Sequence, residues 1–322
     1  MPETAFATPR RILVTGAGGF VGRHMLATLA RDLPQAEVIG TAHVPTPGLE
    51  PLDVTDAGAA DALVERIAPD ACIHLAAIAT IAGGRSDPEG AWRVNVSGTL
   101  ALARALRAHV PHCTLLFASS AEVYGASFRD GAALDETALP SPMNTYAATK
   151  ASADLALGAM AADGLRVVRL RAFNQTGPGQ TPDYVVAAFA RQIARIEAGR
   201  QEPLMRVGAL APQRDFLDVR DVCAAYVACL RLADRLPAGA ILNLASGTPR
   251  RIGDILDSLL ALSRVTPQVE TSQALLRPND IAVAHGDASR AYMLLGWRPG
   301  FDWTTTLRDV LDDWRGRLAS EA

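Results

Sequence analysis

The chain has 322 residues, of which 49% are hydrophobic and 20% are charged, and its formal net charge at pH 7 is −3. Such a composition is typical of a well-buried globular protein and excludes a largely disordered chain. No block of Lys and Arg residues is present, which argues against nucleic acid or an anionic membrane surface as a partner.

The sequence shows no targeting or metal-binding signal. The amino terminus, MPETAFATPRR, lacks the apolar core of a secretion signal, and no apolar run reaches the length of a membrane span. The four cysteines do not have the paired spacing of a zinc site; they are Cys72, Cys113, Cys223 and Cys229. We therefore predict a cytoplasmic protein with buried thiols, without a metal and without a membrane partner.

Short apolar runs alternate with helical segments in the first half of the chain. The predicted strands span residues 10–15, 37–42, 71–76, 114–119, 166–173 and 240–245. The predicted helices span residues 20–31, 56–68, 88–109, 145–162 and 183–199. Because the strands are apolar throughout and alternate with helices, the pattern predicts an α/β fold with a doubly wound parallel Rossmann sheet.

The composition changes after Phe173, where Gly- and Pro-rich segments surround a further helix. We expect a smaller, interleaved C-terminal substrate domain made of residues 177–213 and 264–322. The larger, sheet-forming domain is expected to comprise residues 10–176, with segments of about 214–263 returning to it.

The first predicted strand leads directly into the loop TGAGGFVG, whose glycines are Gly16, Gly19 and Gly22. Glycines at such a turn let the backbone approach a pyrophosphate, whose charge is met by amide groups at the start of the following helix. A plain tight turn is the alternative interpretation, but the position between a strand and a helix favours dinucleotide binding.

The residues after the second and third strands leave the choice between NAD and NADP open. NAD-selective sites usually carry an acid after the second strand and NADP-selective sites an Arg nearby, whereas this chain has Thr41, Ala42 and His43 there. Asp53, in LDVTD, is placed for the adenine end of a dinucleotide. A helix cap before residues 56–68 is an equally supported role for it.

Tyr146 and Lys150 lie four residues apart in NTYAATKAS, so a helix places them on one face, about one turn apart. Lowering the pKa of a tyrosine from about 10 to about 7 takes about 4 kcal/mol. A fixed ammonium at about 4 Å supplies about that much at an effective dielectric constant of about 20. The pair is therefore predicted to be a proton relay, with Asn144 capping the helix. A surface tyrosine beside a solvated lysine is the alternative.

Polar segments follow the predicted strands at their carboxyl ends, where open α/β sheets bind ligands. They include HLAA (74–77), ASSAEVYG (118–125) and FNQTGPGQ (173–180). Ser119 or, by preference, Ser120 is placed to hydrogen-bond a substrate carbonyl oxygen, with an ordinary turn cap as the alternative. His74 is interpreted as a satisfied core histidine.

Taken in order, the motifs T-G-x-x-G-F-x-G, D-V-T-D, H-L-A-A, N-V-x-G-T, S-S-A-E-V-Y-G and Y-x-x-x-K resemble the extended short-chain dehydrogenase/reductase family, that of the NAD-dependent epimerases and dehydratases. The resemblance implies a catalytic triad of Ser120, Tyr146 and Lys150. It also implies a homodimer in which helices 88–109 and 145–162 pair across a two-fold axis.

The same resemblance implies NAD(H) or NADP(H) as the cofactor. The implied cofactor contacts are Gly16, Gly19, Phe20, Val21, Gly22, Asp53, Val54, Leu75, Ala76, Ala77, Asn95, Ser119, Tyr146, Lys150 and Phe173. Asn95 would help to position the lysine through water, and a buried turn asparagine is its alternative role.

Beyond Phe173, the motifs F-N-Q-T-G-P-G-Q, V-G-A-L-x-x-x-R-D-F-L-D-V-R-D, R-P-N-D and L-G-W-R-P resemble the branch of the family that acts on GDP-sugars, and most closely its 4-keto-6-deoxymannose reductases. The implied substrate is a nucleotide-diphosphate sugar. The implied substrate contacts are Ser120, Glu122, Asn174, Gln175, Arg214, Arg277 and Asp280. The two arginines would bind the diphosphate through their guanidinium forks, with ion pairs to Asp215 or Asp280 as the alternative. Gln175 stands where the reductase pattern has a histidine.

For this branch, the resemblance implies reduction of the C4 ketone of a GDP-4-keto-6-deoxyhexose, giving GDP-D-rhamnose or its C4 epimer. Tyr146 would donate the proton, Ser120 would hold the developing oxyanion, and Lys150 would orient the ribose and lower the pKa of the tyrosine.

Three other functions compete with the reductase. A 4,6-dehydratase is the main alternative, because Glu122 matches the base that removes the C5 proton, although such enzymes have threonine in place of Ser120. A C4-epimerase comes next. A non-catalytic dinucleotide-binding regulator is disfavoured, because both Tyr146 and Lys150 are present.

Overall fold

A parallel sheet of seven strands runs through the larger part of the protein. The computed structural model describes residues 9–276 and 281–320. The strands in this part of the chain are β1 (Arg11–Thr15), β2 (Glu37–Ala42), β3 (Glu50–Pro51), β4 (Ala71–His74), β5 (Thr114–Ser120), β6 (Val167–Ala172), β7 (Asn174–Thr176), β8 (Leu204–Val207), β9 (Gln213–Asp218), β10 (Ala240–Leu244), β11 (Pro249–Arg251), β12 (Gln268–Thr271) and β13 (Val283–Ala284).

The seven strands follow the order β10-β6-β5-β4-β1-β2-β3, and each neighbouring pair is parallel. The chain leaves β1 to one side for β2 and β3, then returns to the other side for β4, β5 and β6. The loops after β1 and β4 therefore flank the point where the strand order reverses, which is where such sheets bind ligands. The predicted doubly wound Rossmann sheet is confirmed.

Helices cover both faces of this sheet. Those described are α1 (Phe20–Asp32), α2 (Ala57–Ile67), α3 (Ile81–Ser86), α4 (Pro88–Trp92), α5 (Thr99–His109), α6 (Thr145–Ala162), α7 (Val185–Glu197), α8 (Val219–Arg231), α9 (Ile252–Ala261), α10 (Ser289–Leu295) and α11 (Trp303–Ser320). One core packs the sheet against α1, α8 and α10, and a second packs it against α2, α5 and α6.

Helix α6 has the bounds that the sequence predicts. The Asn144 side chain accepts a hydrogen bond from the Ala147 amide over 2.9 Å, so the predicted cap is confirmed. The helix predicted over 88–109 differs, because a π-helical stretch at Arg93–Gly98 separates α4 from α5. Such stretches cannot be read from apolar spacing, since the extra residue per turn changes the period.

The smaller sheets lie beyond the carboxyl edge of the large one. Strand β9 pairs with β7, β11 and β13, and β8 pairs with β12. A third core joins these strands to α7, α9 and α11. Helix α10 lies within the predicted substrate segment 264–322 but contributes Ala291 and Leu295 to the core of the large sheet. The predicted domain boundaries themselves stay a prediction.

Within residues 9–276 and 281–320, no helix is long and apolar enough to cross a membrane. The same ranges contain no group of three His, Cys, Asp or Glu side chains arranged to hold a metal ion. The four cysteines are buried and unpaired, and burial raises the pKa of each thiol.

Candidate active site

The glycine loop lies between β1 and α1, at the carboxyl edge of the sheet. Gly16 has φ +70°, and a Cβ atom there would lie 2.6 Å from the backbone nitrogen of Ala76. A Cβ atom at Gly22 would lie 2.3 Å from the carbonyl oxygen of Gly16, so α1 packs directly against the loop. Gly19 is the N-cap of α1 and supplies no side-chain cap to the first amides of the helix. The loop therefore fits a dinucleotide diphosphate, which needs close backbone approach and free amide donors.

The segment after β4 lies beside this loop. The Leu75 amide donates a hydrogen bond to the Thr15 carbonyl oxygen over 3.1 Å. Phe20 and Val21, in the first turn of α1, pack partly buried against the core. The other apolar cofactor contacts expected in the neighbouring loops are buried or half-buried; they are Val54, Ala76, Ala77 and Phe173. The expected cofactor contacts around the first strands thus surround one edge of the sheet.

Asp53 lies in an exposed turn after β3. Its Oδ1 accepts hydrogen bonds from the amide and the hydroxyl of Thr55, at 2.9 and 2.7 Å, and both lower the pKa of the carboxyl. His43 lies opposite, with Nδ1 3.8 Å from Asp53 Oδ2. The cap of α2 is Asp56, which accepts from the Ala59 amide over 3.0 Å. The alternative role of Asp53 as that cap is therefore wrong.

Tyr146 and Lys150 occupy the first two turns of α6, as the sequence predicts. Lys150 is only 4% exposed, and its Nζ donates a hydrogen bond to the Ala118 carbonyl oxygen over 2.8 Å. The same Nζ lies 5.1 Å from the centre of the Phe117 ring. The lysine thus binds the end of β5, and the alternative of a solvated surface lysine is wrong.

The pKa values of this pair differ from the expectation. Burial raises the pKa of Tyr146 above its ordinary value, a side-chain hydrogen bond with Ser120 lowers it, and Tyr184 and Glu122 raise it. Burial lowers the pKa of Lys150 to about 8, with Asp154 acting in the opposite direction. The prediction that Lys150 brings the pKa of Tyr146 near 7 is therefore wrong for the arrangement described. The lysine is directed to a backbone carbonyl, and the phenol loses more from desolvation than it gains.

The two serines at the end of β5 have different partners. Ser120 Oγ accepts a hydrogen bond from the Glu122 amide over 3.1 Å, and the Ser120 side chain is close enough to the Tyr146 phenol to lower its pKa. Ser119 Oγ donates to Asp154 Oδ2 over 2.6 Å, in the protein interior. Because successive residues of a strand point to opposite faces, only Ser120 shares the side of the phenol.

Asn95 lies in the π-helical stretch and is buried. Its Oδ1 accepts from the Ile78 amide over 2.9 Å, and its Nδ2 donates to the Ile78 carbonyl and to Thr149 Oγ1, both over 3.0 Å. Asn95 therefore ties the segment after β4 to the residue that precedes Lys150.

His74 ends β4 and is buried with both ring nitrogens bonded. Nδ1 lies 2.7 Å from Thr15 Oγ1, and Nε2 lies 2.9 Å from Thr99 Oγ1. Burial lowers its pKa to about 3, so the ring is neutral at physiological pH. The interpretation as a satisfied core histidine is confirmed.

The predicted sugar contacts lie where β7 continues from β6. Asn174 pairs with Phe216 of β9, and Gln175 Oε1 is buried without a hydrogen-bond partner in the described part of the chain. Glu122 is half-buried, and its Oε2 accepts from Asn144 Nδ2 over 3.4 Å, at the start of α6. An unpartnered acceptor and a carboxylate thus lie close to the catalytic edge.

Arg214 lies on β9 directly opposite Arg250 of β11. Arg214 donates to the carbonyl oxygens of Gln213 and Ile281, over 2.8 and 2.7 Å. The two other residues expected at the diphosphate, Arg277 and Asp280, lie outside the described residues.

Asp215 is the ion-pair partner that the sequence offers Arg214 as an alternative to the diphosphate. Its carboxylate accepts hydrogen bonds from Ser246 and Gly247 at 2.7 to 2.9 Å.

Two charged residues of this region were missed in the sequence. Asp154 lies four residues after Lys150, so helical spacing offered a signal for it. Arg250 offered none, because its proximity to Arg214 depends on the pairing of β11 with β9. A further sequence signal was overlooked: Lys150 is the only lysine of the chain, so the other 30 of its 31 basic residues are arginine.

The chain belongs to the NAD dependent epimerase/dehydratase family, whose pattern matches residues 12–245. The predicted family is therefore confirmed, and with it the class of NAD(P)-dependent oxidoreductase.

Within the family, the chain is 35% identical to GDP-6-deoxy-D-mannose reductase of Pseudomonas aeruginosa, over 97% of this chain and 99% of that protein. It is 27% identical to GDP-6-deoxy-D-talose 4-dehydrogenase of Aggregatibacter actinomycetemcomitans, over 96% of this chain and 98% of that one. The structure of RMD from P. aeruginosa complexed with NADPH superposes with a TM-score of 0.85 and 33% identity, over 96% of this chain and 99% of that chain. UDP-glucose 4-epimerase of Thermus thermophilus with NAD gives a TM-score of 0.82 and 27% identity, over 95% and 99% of the two chains.

Replacing Gly22 with alanine should weaken dinucleotide binding. The added Cβ would meet a backbone oxygen that cannot move aside, at an overpacking cost of about 1–3 kcal/mol. We expect a lower melting temperature and an NADPH affinity reduced at least about tenfold, or about 1.4 kcal/mol, in a fluorescence titration.

Gly316→Ala is the matched control, because a Cβ at this position of α11 meets no atom within 4 Å. Gly22→Ala protein with unchanged NADPH affinity would contradict the placement of the diphosphate on this loop.

Proposed function

We propose that this protein reduces the C4 ketone of a GDP-4-keto-6-deoxyhexose with NADH or NADPH. The observation that carries the proposal is that Ser120 and Tyr146 come together at the carboxyl edge of the sheet, beside the glycine loop, close enough for the serine side chain to lower the pKa of the phenol. The full-length similarity to a GDP-6-deoxy-D-mannose reductase supports this substrate class.

The glycine loop would hold the cofactor through the amides at the start of α1, with Asp53 and His43 at its adenine end. When bound, NADH or NADPH supplies the hydride that reduces the C4 carbon. Both cofactors stay open, since neither an acid nor an arginine follows β2.

Tyr146 supplies the proton in this proposal. The C4 oxygen gains a pair of electrons as hydride reaches the carbon, and the phenol transfers its proton to that oxygen. The phenol is protonated at neutral pH and so has a proton to give. Ser120, beside the phenol, would hydrogen-bond the same oxygen, and the phenolate recovers its proton from solvent.

The competing functions begin with the opposite proton transfer. A dehydratase begins by oxidising C4, for which Tyr146 must act as a base and remove the hydroxyl proton. The 4,6-dehydratase stays the second candidate, because the Glu122 carboxylate lies beside α6. A C4-epimerase has the same need for an initial oxidation.

We assign the diphosphate to the face that carries Arg214 and Arg250. Arg250 Nε is buried without a hydrogen-bond partner in the described residues, and burial lowers the pKa of its guanidinium. Its guanidinium carbon lies 4.7 Å from the Trp303 ring, which fixes its orientation. A half-buried guanidinium whose buried Nε has no partner, opposite a second guanidinium, is suited to a bidentate dianion. Asn174 and Gln175 would contact the sugar.

A homodimer is part of the same proposal. Helices α5 and α6 lie on one face of the sheet, and Leu155 of α6 is 57% exposed there. We propose that these helices pair across a two-fold axis.

Two further parts of the proposal concern the domains and the location of the protein. Residues 177–213 and 264–322 form the substrate domain, and the enzyme acts in the cytoplasm.

The first test is turnover. A mixture of the purified protein, NADPH and a GDP-4-keto-6-deoxyhexose should lose absorbance at the reduced-cofactor band. The Tyr146→Phe substitution should lower kcat at least about 100-fold, because general acid catalysis contributes a rate factor of about 10²–10⁴. Tyr292→Phe, at an exposed residue of α10, should leave the rate unchanged.

Full turnover by Tyr146→Phe would contradict the assignment of the proton donor. Conversion of GDP-mannose to the keto sugar, without net consumption of NADPH, would identify a dehydratase instead.

The second test compares the contributions of Arg250 and Arg251 to nucleotide binding. Arg250→Ala should weaken GDP binding by about 10- to 150-fold in calorimetry, because a hydrogen bond to a charged group contributes about 1.5–3 kcal/mol. Arg251→Ala is the matched control, since Arg251 is exposed and bonded to Asp254. Equal GDP affinities for the two variants would contradict the assignment of the diphosphate to this face.

A further inference from the structure

Asp154 is a fully buried carboxylate one helical turn after Lys150, with 1% of its surface exposed. Its oxygens accept four side-chain hydrogen bonds: from Ser119 Oγ at 2.6 Å, from Arg171 Nε and a terminal nitrogen at 3.0 and 2.9 Å, and from Arg169 at 3.2 Å. These bonds, three of them from guanidinium groups, compensate the carboxylate for its burial. Its position on α6 brings a fixed negative charge close to the lysine of the proposed triad.

Two contacts join α6 to the last residues of β5. Lys150 donates to the Ala118 carbonyl oxygen, and Asp154 accepts from Ser119. The next residue along the strand is Ser120, whose side chain lowers the pKa of Tyr146 at the start of the same helix. The two contacts therefore fix the strand end directly before Ser120 against the helix directly after Tyr146.

The titratable and charged side chains near Lys150 come from three elements. Asp154 and the neutral Tyr146 lie on α6, the neutral His74 lies on β4, and Arg169 and Arg171 lie on β6 behind the carboxylate. Asp154 is the one anion among these groups. Without its charge, the guanidinium groups of Arg169 and Arg171 would lose the buried anion that they share with the lysine.

We propose that Asp154 is a positioning residue for the reduction, which keeps Lys150 in its ammonium form and holds Ser120 opposite Tyr146. This inference rests on the proposed function, since it concerns the same catalytic residues. A purely structural ion pair with Arg171 would support the fold but would not set the protonation of Lys150.

The direction in which the pKa of Lys150 should change follows from the charges around it. Burial favours neutral Lys150 and Asp154 favours the ammonium, so removing the carboxylate charge lowers the pKa of Lys150. Asp154→Asn should therefore shift the loss of ammonium to lower pH. The basic limb of the kcat profile should move in the same direction, while KM for the nucleotide sugar stays unchanged.

The single lysine makes a direct measurement possible. Protein labelled with [13Cε]lysine gives one side-chain resonance from Lys150, whose pH titration reports its pKa without any turnover. We expect the Asp154→Asn midpoint to lie at least about one pH unit below that of the wild type. Asp163→Asn is the matched control, since this exposed residue at the end of the same helix should leave the midpoint unchanged.

Three outcomes would overturn the inference. The first is a folded Asp154→Asn protein whose Lys150 titrates as in the wild type. The second is a shifted titration with an unmoved kcat profile. The third applies even if the Asp154→Asn protein fails to fold, because it is measured on the wild type. A wild-type Lys150 that is already neutral at pH 7 would show that Asp154 does not keep it in the ammonium form.

The proposed function can fail separately. A protein that shows the shifted titration, yet reduces no keto-sugar nucleotide, would overturn the reductase assignment and leave the link between Asp154 and Lys150 in place.

Discussion

The contact between the start of α6 and the carboxyl end of β5 determines the geometry of the whole site. Lys150 and Asp154 of the helix bond Ala118 and Ser119 of the strand, and Ser120 then meets Tyr146. The Ser119–Asp154 bond is buried and the Lys150–Ala118 bond is partly buried, so breaking either would leave a polar group without its partner away from bulk water. The glycine loop and the segment after β4 reach the same edge because the strand order reverses beside β1.

Desolvation, more than charge attraction, sets the protonation of this site. It raises the pKa of Tyr146 and lowers that of Lys150, so each group is moved toward its neutral form. In a ketone reduction the phenol gives up its proton, and in an oxidation it accepts one. Support for reduction comes instead from the relatives that share nearly the full length of the chain, which include a GDP-6-deoxy-D-mannose reductase.

Local features of the fold and site were predictable from the sequence. The glycine loop, the Asn144 cap and the Tyr146–Lys150 spacing depend on residues close together in the chain, and the structure places them as expected.

Features that depend on distant segments were not predictable. The pairing of β9 with β11 brings Arg214 opposite Arg250 across 35 intervening residues, and no pattern in either strand indicates it. The direction of the Lys150 side chain depends on how α6 packs against β5. The direction in which the pKa of Tyr146 moves depends on the same packing. The π-helical stretch around Asn95 was hidden for a similar reason, since it satisfies contacts with Ile78 and Thr149 that come from other segments.

The protonation of the phenol is tested most directly by a titration of [13Cζ]tyrosine-labelled protein in the absence of nucleotide, with Tyr146→Phe used to assign the resonance. The predicted result is that Tyr146 stays protonated up to at least about pH 9, near or beyond the range of a free tyrosine. An ionisation midpoint near pH 7 would contradict the account, because desolvation would then not dominate the protonation of the phenol.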